Sequence, residues 1–151
     1  ITMFFKVCLF AAILNFIFEL ELNAQQESRS LSIKLEVKRS IEKGLRWLNS
    51  EQNSTHGHWG EMDYPALTAL VLRANLGSPD YSSSVSPEET MKKGFDFILS
   101  KVQTDGGIYG KGLASYNTSI CLMALMQAKD SKFNPIISGA RKFLINLAVG
   151  F

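Results

Sequence analysis

The chain is poor in cysteine, with two among 151 residues, and neither supports a disulfide-stapled fold. Cys8 lies in an apolar N-terminal stretch that we expect to be removed from the mature protein. Cys121 would then be the one remaining thiol, which cannot form an intrachain disulfide. We therefore expect the fold to be held together by packing of apolar side chains, which make up 46% of the chain.

A surplus of charge of one sign is also missing. The chain has 16 Lys and Arg residues against 14 Asp and Glu residues, for a net charge of +2, and the basic residues are scattered among acids. Nucleic-acid-binding proteins usually carry a basic block or patch. The sequence therefore predicts no nucleic-acid partner.

The first 24 residues have the composition of a secretory signal. Lys6 precedes an apolar run from Val7 to Phe18, and the segment ends on the small residue Ala24. The run is shorter than the roughly 20 residues that a helix needs to cross a bilayer. We expect cleavage after Ala24 and export to the periplasm or the cell exterior. If the segment is not cleaved, it would instead anchor the protein in a membrane.

Two stretches of the remaining chain, residues 43–60 and 93–110, resemble each other. Each has a glycine, an aromatic residue three positions later, a glutamine, and a Gly-x-aromatic ending. The second copy lies 50 residues after the first, and a third begins 46 residues later at Ala140, a spacing that indicates a repeat architecture. The motif residues are Gly44, Trp47, Gln52, Gly57 and Trp59 in the first copy and Gly94, Phe97, Gln103, Gly107 and Tyr109 in the second.

Hydrophobic periodicity predicts two helices in each repeat. An amphipathic helix over 33–51 is followed by Pro65 and an apolar helix over 66–76. The same order recurs as an amphipathic helix that starts at Ser86 and an apolar helix over 114–128. Because a helix that is apolar on every face is usually buried, we expect an outer amphipathic helix and an inner, fully covered helix in each unit.

These patterns together predict an all-α fold of helix-pair repeats. The first repeat covers 33–82, the second covers 83–130, and a third starts over 131–151, so that residues 25–151 hold about two and a half units. An array of repeats normally ends on a polar capping surface, which the apolar residues of the third unit do not supply. We expect the sequence to be a fragment of a longer protein.

The motif resembles the QW motif of squalene/hopene and oxidosqualene cyclases, which belong to the α/α-toroid superfamily of terpene cyclases and protein prenyltransferases. The resemblance covers the whole mature chain, although the second copy has tyrosine in place of tryptophan and one extra residue before its glutamine. It implies a partial α/α-toroid, with an inner ring of helices around an apolar cavity that holds an isoprenoid. It also implies that the glutamines and the aromatic residues after them are structural: Gln52, Trp59, Gln103 and Tyr109.

The catalytic groups of those families are absent from the sequence. Hopene-type cyclases protonate their substrate with an Asp-x-Asp-Asp segment, whereas the aspartates here are isolated from one another. Prenyltransferases need an Asp-x-Cys zinc site, and Cys121 has Ser119 two residues before it. We assign no catalytic residue, metal or cofactor to this chain. An intact enzyme would be a terpene cyclase-like isomerase or lyase whose catalytic residues lie outside this segment.

Two groups of polar residues are candidates for a site. Tyr64, Tyr116 and Asn117 stand at the starts of the inner helices, where the family's cavity mouth would lie, although helix capping or packing is the alternative interpretation. A second group of residues, close together in the sequence, has side chains that can bind a metal. A polar turn inside the repeat motif is the alternative interpretation of these residues. This group is His56, His58, Glu61 and Asp63.

Two functions of different classes follow from the sequence. The first is an exported, cyclase-like repeat protein that binds or isomerises a polyprenyl or triterpene substrate in an apolar cavity. The second is a non-catalytic α/α-toroid scaffold that binds lipid or protein partners. Export favours the second function, because squalene/hopene cyclases sit on the inner membrane face without a cleaved signal.

Overall fold

The computed structural model describes residues 29–78 and 88–149. Within these two ranges the chain is all-α, as the sequence predicts, with five α-helices and no strand. The expected signal segment and the helix start at Ser86 lie outside the described residues. Among the described helices, none combines the length and the apolar character that a bilayer crossing requires.

The helices follow the predicted order, with boundaries close to those expected from periodicity. α1 is helical over the described residues 29–50, against the predicted 33–51, and the apolar–polar alternation of residues 31–37 lies on a helix. The other elements are α2 (Pro65–Leu76), α3 (Glu88–Ser100), α4 (Ala114–Ala128), a 3₁₀ turn (Ser131–Phe133) and α5 (Asn134–Val149). Pro65 opens α2, where its missing N–H and fixed φ are tolerated.

The chain divides into two compact units, residues 1–40 and 41–151. In the first unit, the described residues 29–40 are helical and all of them are exposed. The second unit holds the end of α1, the other helices and the hydrophobic core. The core members come from α2, α3, α4, α5 and the turns before them: Trp59, Ala69, Val71, Leu72, Met91, Ile98, Ile108, Cys121, Leu122, Ala124, Leu125, Phe133 and Ala140.

α2 and α4 are neighbouring, parallel helices. At their N-terminal ends, the backbone N–H of Ala66 donates to Oδ1 of Asn117 at 3.2 Å. At their C-terminal ends, Nε of Arg73 donates to Oε1 of Gln127, also at 3.2 Å. Because start meets start and end meets end, the two helices run in the same direction.

α3 packs against α2, and α5 packs against α4. Gly94 allows the close approach of α3, because a Cβ at this position would lie 2.8 Å from Cδ2 of Leu72. Ala140 holds the corresponding position in α5 and is fully buried. The two apolar helices thus lie side by side, and each is covered by the amphipathic helix that follows it.

The expected full burial of the two apolar helices is wrong. Leu67 and Leu70 of α2 are each 40% exposed, and Met123 and Met126 of α4 are 40% and 45% exposed. Each helix packs on its neighbours through part of its circumference only. Apolar composition on every face therefore does not report which faces are covered in this chain.

Candidate functional site

The apolar helices α2 and α4 are each preceded by an irregular turn. We call residues 51–64 the first corner and residues 101–113 the second corner. In the first, the backbone N–H of Trp59 donates to Oγ1 of Thr68 at 3.0 Å. In the second, the N–H of Ile108 donates to Oγ1 of Thr118 at 2.9 Å. Both threonines are fully buried, so each satisfies a backbone donor that water cannot reach. A backbone-to-threonine hydrogen bond of the same kind therefore fixes the first corner to α2 and the second corner to α4.

The motif glutamines serve the two corners differently. Nε2 of Gln52 donates to the carbonyl of Gly57 at 2.8 Å and to the carbonyl of Thr90 in α3 at 2.9 Å. Nε2 of Gln103 donates to the carbonyl of Tyr109 at 2.7 Å and to that of Lys101 at 3.2 Å. Gln52 therefore links the first corner to α3, whereas Gln103 closes its own corner.

Trp59 is the largest side chain at the first corner and is almost fully buried. Its Nε1 donates to the carbonyl of Leu48 at 2.6 Å, which satisfies an acceptor at the end of α1. Its ring lies against Gly94, where an added Cβ would be 3.1 Å from Cζ3. Trp47, by contrast, is 62% exposed, and Gly44 has no neighbour within 4 Å of its Cβ position.

By its backbone hydrogen bond, Ile108 is the counterpart of Trp59. The sequence motif instead pairs Trp59 with Tyr109. Ile108 makes the hydrogen bond to threonine that Trp59 makes, and it is fully buried. The large ring of Trp59 faces Gly94, and the residue 46 positions after Gly94 is Ala140. Ile108 and Ala140 both belong to the hydrophobic core.

Tyr109 fills the space that His58 fills in the first corner. The His58 ring packs on Phe97 with centroids 5.0 Å apart, and the Tyr109 ring packs on Phe143 at 5.7 Å. The Tyr109 hydroxyl donates to Oδ2 of Asp105 at 2.6 Å, and this hydrogen bond raises the pKa of Tyr109. The aromatic residue of the second motif copy thus has a packing role.

In the second corner, the positive-φ glycine that meets the backbone of a neighbouring helix is Gly106, whereas the motif identifies Gly107. Gly57 has φ of +73° and Gly106 has φ of +88°. A Cβ on Gly57 would lie 2.7 Å from the carbonyl oxygen of Lys93 in α3, and a Cβ on Gly106 would lie 2.8 Å from that of Gly139 in α5. The first corner therefore meets the backbone of α3 at a glycine, and the second corner meets the backbone of α5 in the same way.

The three cavity candidates have different environments. Asn117 is fully buried, and besides accepting the bond from Ala66 it donates from Nδ2 to the carbonyl of Gly112 at 3.2 Å. Tyr64 is half-buried before α2 and makes no side-chain capping bond there. Tyr116 is exposed on the first turn of α4. Asn117 thus holds two helices together, and of the three residues Tyr116 is the one whose ring is open to a ligand.

The residues considered for metal binding do not form a ligand set. The rings of His56 and His58 are stacked with centroids 6.2 Å apart, and His58 is buried with Nδ1 lacking a hydrogen-bond partner. Across residues 29–78 and 88–149, no group of three or more His, Cys, Asp or Glu side chains is arranged to hold a metal ion.

Cys121 of α4 is fully buried in the hydrophobic core. Burial raises the pKa of the Cys121 thiol to about 12. Because of this raised pKa, the thiolate, which is the nucleophilic and metal-binding form, is scarcely populated at neutral pH. Cys121 therefore acts as a small apolar core residue.

α2 and α4 each have an exposed side that faces away from α3 and α5, the helices that pack against them. Helical spacing places Tyr116, Ile120 and Met123 opposite the buried Leu122 and Leu125 on α4. On α2 the same side carries Leu70 and Arg73. We call this surface the inner wall, and it consists of Leu70, Arg73, Tyr116, Ile120, Met123 and Gln127.

No protein-family model, curated protein or solved structure matches this chain. Its function has to be argued from the repeat geometry and the inner wall.

Proposed function

We propose that this chain is part of an exported α/α-toroid of the terpene cyclase and protein prenyltransferase type, and that its inner wall binds an apolar ligand of the isoprenoid class. In this arrangement α2 and α4 are inner helices, and α1, α3 and α5 are outer helices. The parallel direction of α2 and α4 supports the proposal. So do the two corners, which are fixed by the same threonine hydrogen bond.

The observation that carries the proposal is the apolar character of the inner wall. Leu70, Tyr116 and Met123 are each at least 40% exposed there, beside the partly buried Ile120. Contiguous exposed apolar side chains mark binding surfaces more often than plain solvent-facing surface. The hydrogen-bonded pair Arg73 and Gln127 provides a polar end that would orient a ligand with one polar group.

The exposed side of α3 is different in kind. On α3, Lys92 and Asp96 form an ion pair at 2.6 Å, and Glu89 and Lys93 form another at 3.0 Å. These contacts raise the pKa of Lys92 and lower that of Glu89. Charged i,i+4 pairs are typical of a solvated helix face. The contrast supports assigning α3 to the outside and α2 and α4 to the ligand side.

The proposal is one of binding, and it assigns no chemical step to these residues. In the part of the chain that the structure describes, Asn117 is engaged in holding α2 to α4 and Cys121 is buried as a thiol. A catalytic acid, if the intact protein is a cyclase-like isomerase, lies elsewhere.

Squalene and a polyprenol are the probes for the ligand. We expect native mass spectrometry of the 151-residue chain to show bound isoprenoid and the melting temperature to rise when it is added. Met123→Gln should weaken binding about tenfold, since it removes roughly 1.4 kcal/mol of apolar contact. Met62→Gln is the matched control, because Met62 is similarly exposed but lies in the first corner.

An equal loss of affinity in Met62→Gln and Met123→Gln would contradict binding at the inner wall. Absence of both bound lipid and a thermal shift would count against lipid binding, whether the protein is cyclase-like or a non-catalytic scaffold. The protein-binding scaffold would then be the surviving function.

A further inference from the structure

Arg73 is the one charged residue of the inner wall. It is half-buried, and its Nε donates to Oε1 of Gln127 at 3.2 Å. Within residues 29–78 and 88–149, Nη1 and Nη2 of Arg73 donate to no acceptor, and no carboxylate lies within 4.0 Å of the guanidinium. The guanidinium is therefore fixed along one edge and has no protein partner along the other.

Capping of the end of α2 does not account for this side chain. Basic side chains near a helix C-terminus can donate to the last carbonyl groups. The carbonyl of Arg73 already accepts from the N–H of Gly77 at 2.9 Å and from Nε2 of Gln127 at 3.3 Å. In the part of the chain that the structure describes, the Arg73 guanidinium donates to no backbone carbonyl. It thus takes no part in satisfying the acceptors at the end of α2.

The repeat does not account for an arginine at this position either. Thr68 and Thr118 accept equivalent corner hydrogen bonds, so each α2 position corresponds to the α4 position 50 residues later. The counterpart of Arg73 is Met123. Residues that a repeated architecture needs recur from unit to unit, as the two threonines do. Arg73 is a departure from the repeat, and such departures are expected at functional sites.

The apolar part of the inner wall extends from Arg73 in one direction. On α2, Leu70 lies one turn before Arg73, and on α4, Met123 lies one turn before Gln127. Tyr116 is the member of the wall farthest from Gln127, and the two lie about 16 Å apart along the axis of α4. A ligand with its polar group at Arg73 would therefore lay its hydrocarbon chain toward the N-terminal ends of both helices.

We infer that the polar group of the ligand is a carboxylate that binds Nη1 and Nη2 of Arg73, which makes the ligand an isoprenoid carboxylic acid. The inference rests on the proposed function, because it names the head group of the ligand that the inner wall binds. A planar carboxylate accepts two parallel hydrogen bonds from one edge of a guanidinium. A head group with several charges would need further cations, and Arg73 is the only cation on the wall.

Three probes with the same hydrocarbon chain isolate the head group: farnesoic acid, its methyl ester and farnesol. Isothermal titration calorimetry gives their affinities for the 151-residue chain at pH 7, where the acid is ionised. The acid should bind about tenfold more tightly than the ester or the alcohol, because its hydrogen bonds to Arg73 are charge-assisted. The preference should decrease in high salt, since Arg73 is partly exposed.

Two substitutions remove the free charge at Arg73 in different ways. Arg73→Gln removes the guanidinium, whereas Gln127→Glu keeps it and places a carboxylate at the acceptor of its Nε. Both should abolish the preference for the acid and leave farnesol binding near the wild-type affinity, which shows that the wall is still folded. Arg73→Lys keeps the charge without the planar fork and should retain part of the preference.

Arg46→Gln is the matched control for the loss of a positive charge. Arg46 lies on α1, outside the inner wall, and already has a carboxylate partner in Glu42 at 3.6 Å. This variant should keep the full preference for the acid. A preference that Arg46→Gln reduces as much as Arg73→Gln does would reflect the net charge of the chain and would overturn the inference.

The probes also separate this inference from the binding proposal on which it rests. Equal wild-type affinities for all three probes, each weakened by Met123→Gln, would overturn the carboxylate and leave the apolar binding surface standing. Binding of none of the three would overturn both. A larger Arg73-dependent gain for farnesyl phosphate than for farnesoic acid would assign the head group to a phosphate and would also overturn the inference.

Discussion

Gly57→Ala should destabilise the protein much more than Gly112→Ala. Both glycines have φ of +73°, so alanine at either position costs about 1–2 kcal/mol of backbone strain. At Gly112 an added Cβ meets nothing within 4 Å, whereas at Gly57 it would lie 2.7 Å from the backbone of Lys93. Displacing α3 by the few tenths of an ångström required adds roughly 1–3 kcal/mol.

Urea denaturation of both variants measures this difference directly. Gly112→Ala is the control for the conformational part of the change, so the excess in Gly57→Ala reports the contact between the first corner and α3. Equal free energies of unfolding for the two variants would show that this corner does not press against α3 as the structure indicates.

Trp59→Ala should cost about 3–5 kcal/mol, the usual range for removing a large buried aromatic side chain. Trp59 packs in the core between α2 and α3 and donates a hydrogen bond to the last turn of α1. Trp47 also belongs to the sequence motif, but it is largely exposed. Trp47→Ala should therefore change stability by less than about 0.5 kcal/mol.

The free energy of unfolding of the two variants separates a structural tryptophan from one that the motif alone identifies. Trp59→Phe keeps much of the ring volume but removes the Nε1 donor, so it should lie between wild type and Trp59→Ala. A loss at Trp47 as large as that at Trp59 would mean that α1 packs through a surface that the structure leaves exposed.

Much of the fold could be predicted from the sequence because its signals are local. Pro65 fixes the start of α2, and the apolar run that follows it has the length of a helix. Thr68 and Thr118 lie 50 residues apart, the spacing of the two motif copies, and both accept the same corner hydrogen bond. Local start signals and a constant period were sufficient for this part of the fold.

The details of the second corner could not be predicted, because there a backbone hydrogen bond is kept while the side chains change. Ile108 takes the backbone position of Trp59, and Tyr109 packs where His58 packs in the first corner. A motif comparison pairs residues by type and therefore matched the two aromatic residues. The match between Trp59 and Ile108 follows instead from their backbone N–H groups, which donate to Thr68 and Thr118.

The candidate site was harder to predict than the helices. Asn117 stands at the start of α4, as a cavity residue would, but its amide is used to join α2 and α4. Met123 and Met126 looked like core residues because they lie in an apolar helix, and they are exposed. Which side of such a helix is covered depends on its neighbours, and the composition of the helix does not report them.

Amide hydrogen exchange at Trp59 and Ile108 tests the central claim, that the two corners are fixed by the same threonine hydrogen bond. Both amides should be strongly protected in the wild-type chain. Thr118→Val should accelerate exchange at Ile108 and leave Trp59 protected, and Thr68→Val should do the reverse, since each removes about 1–3 kcal/mol from one buried contact. Unchanged protection at Ile108 in Thr118→Val, or equal loss at both amides in either variant, would contradict the claim.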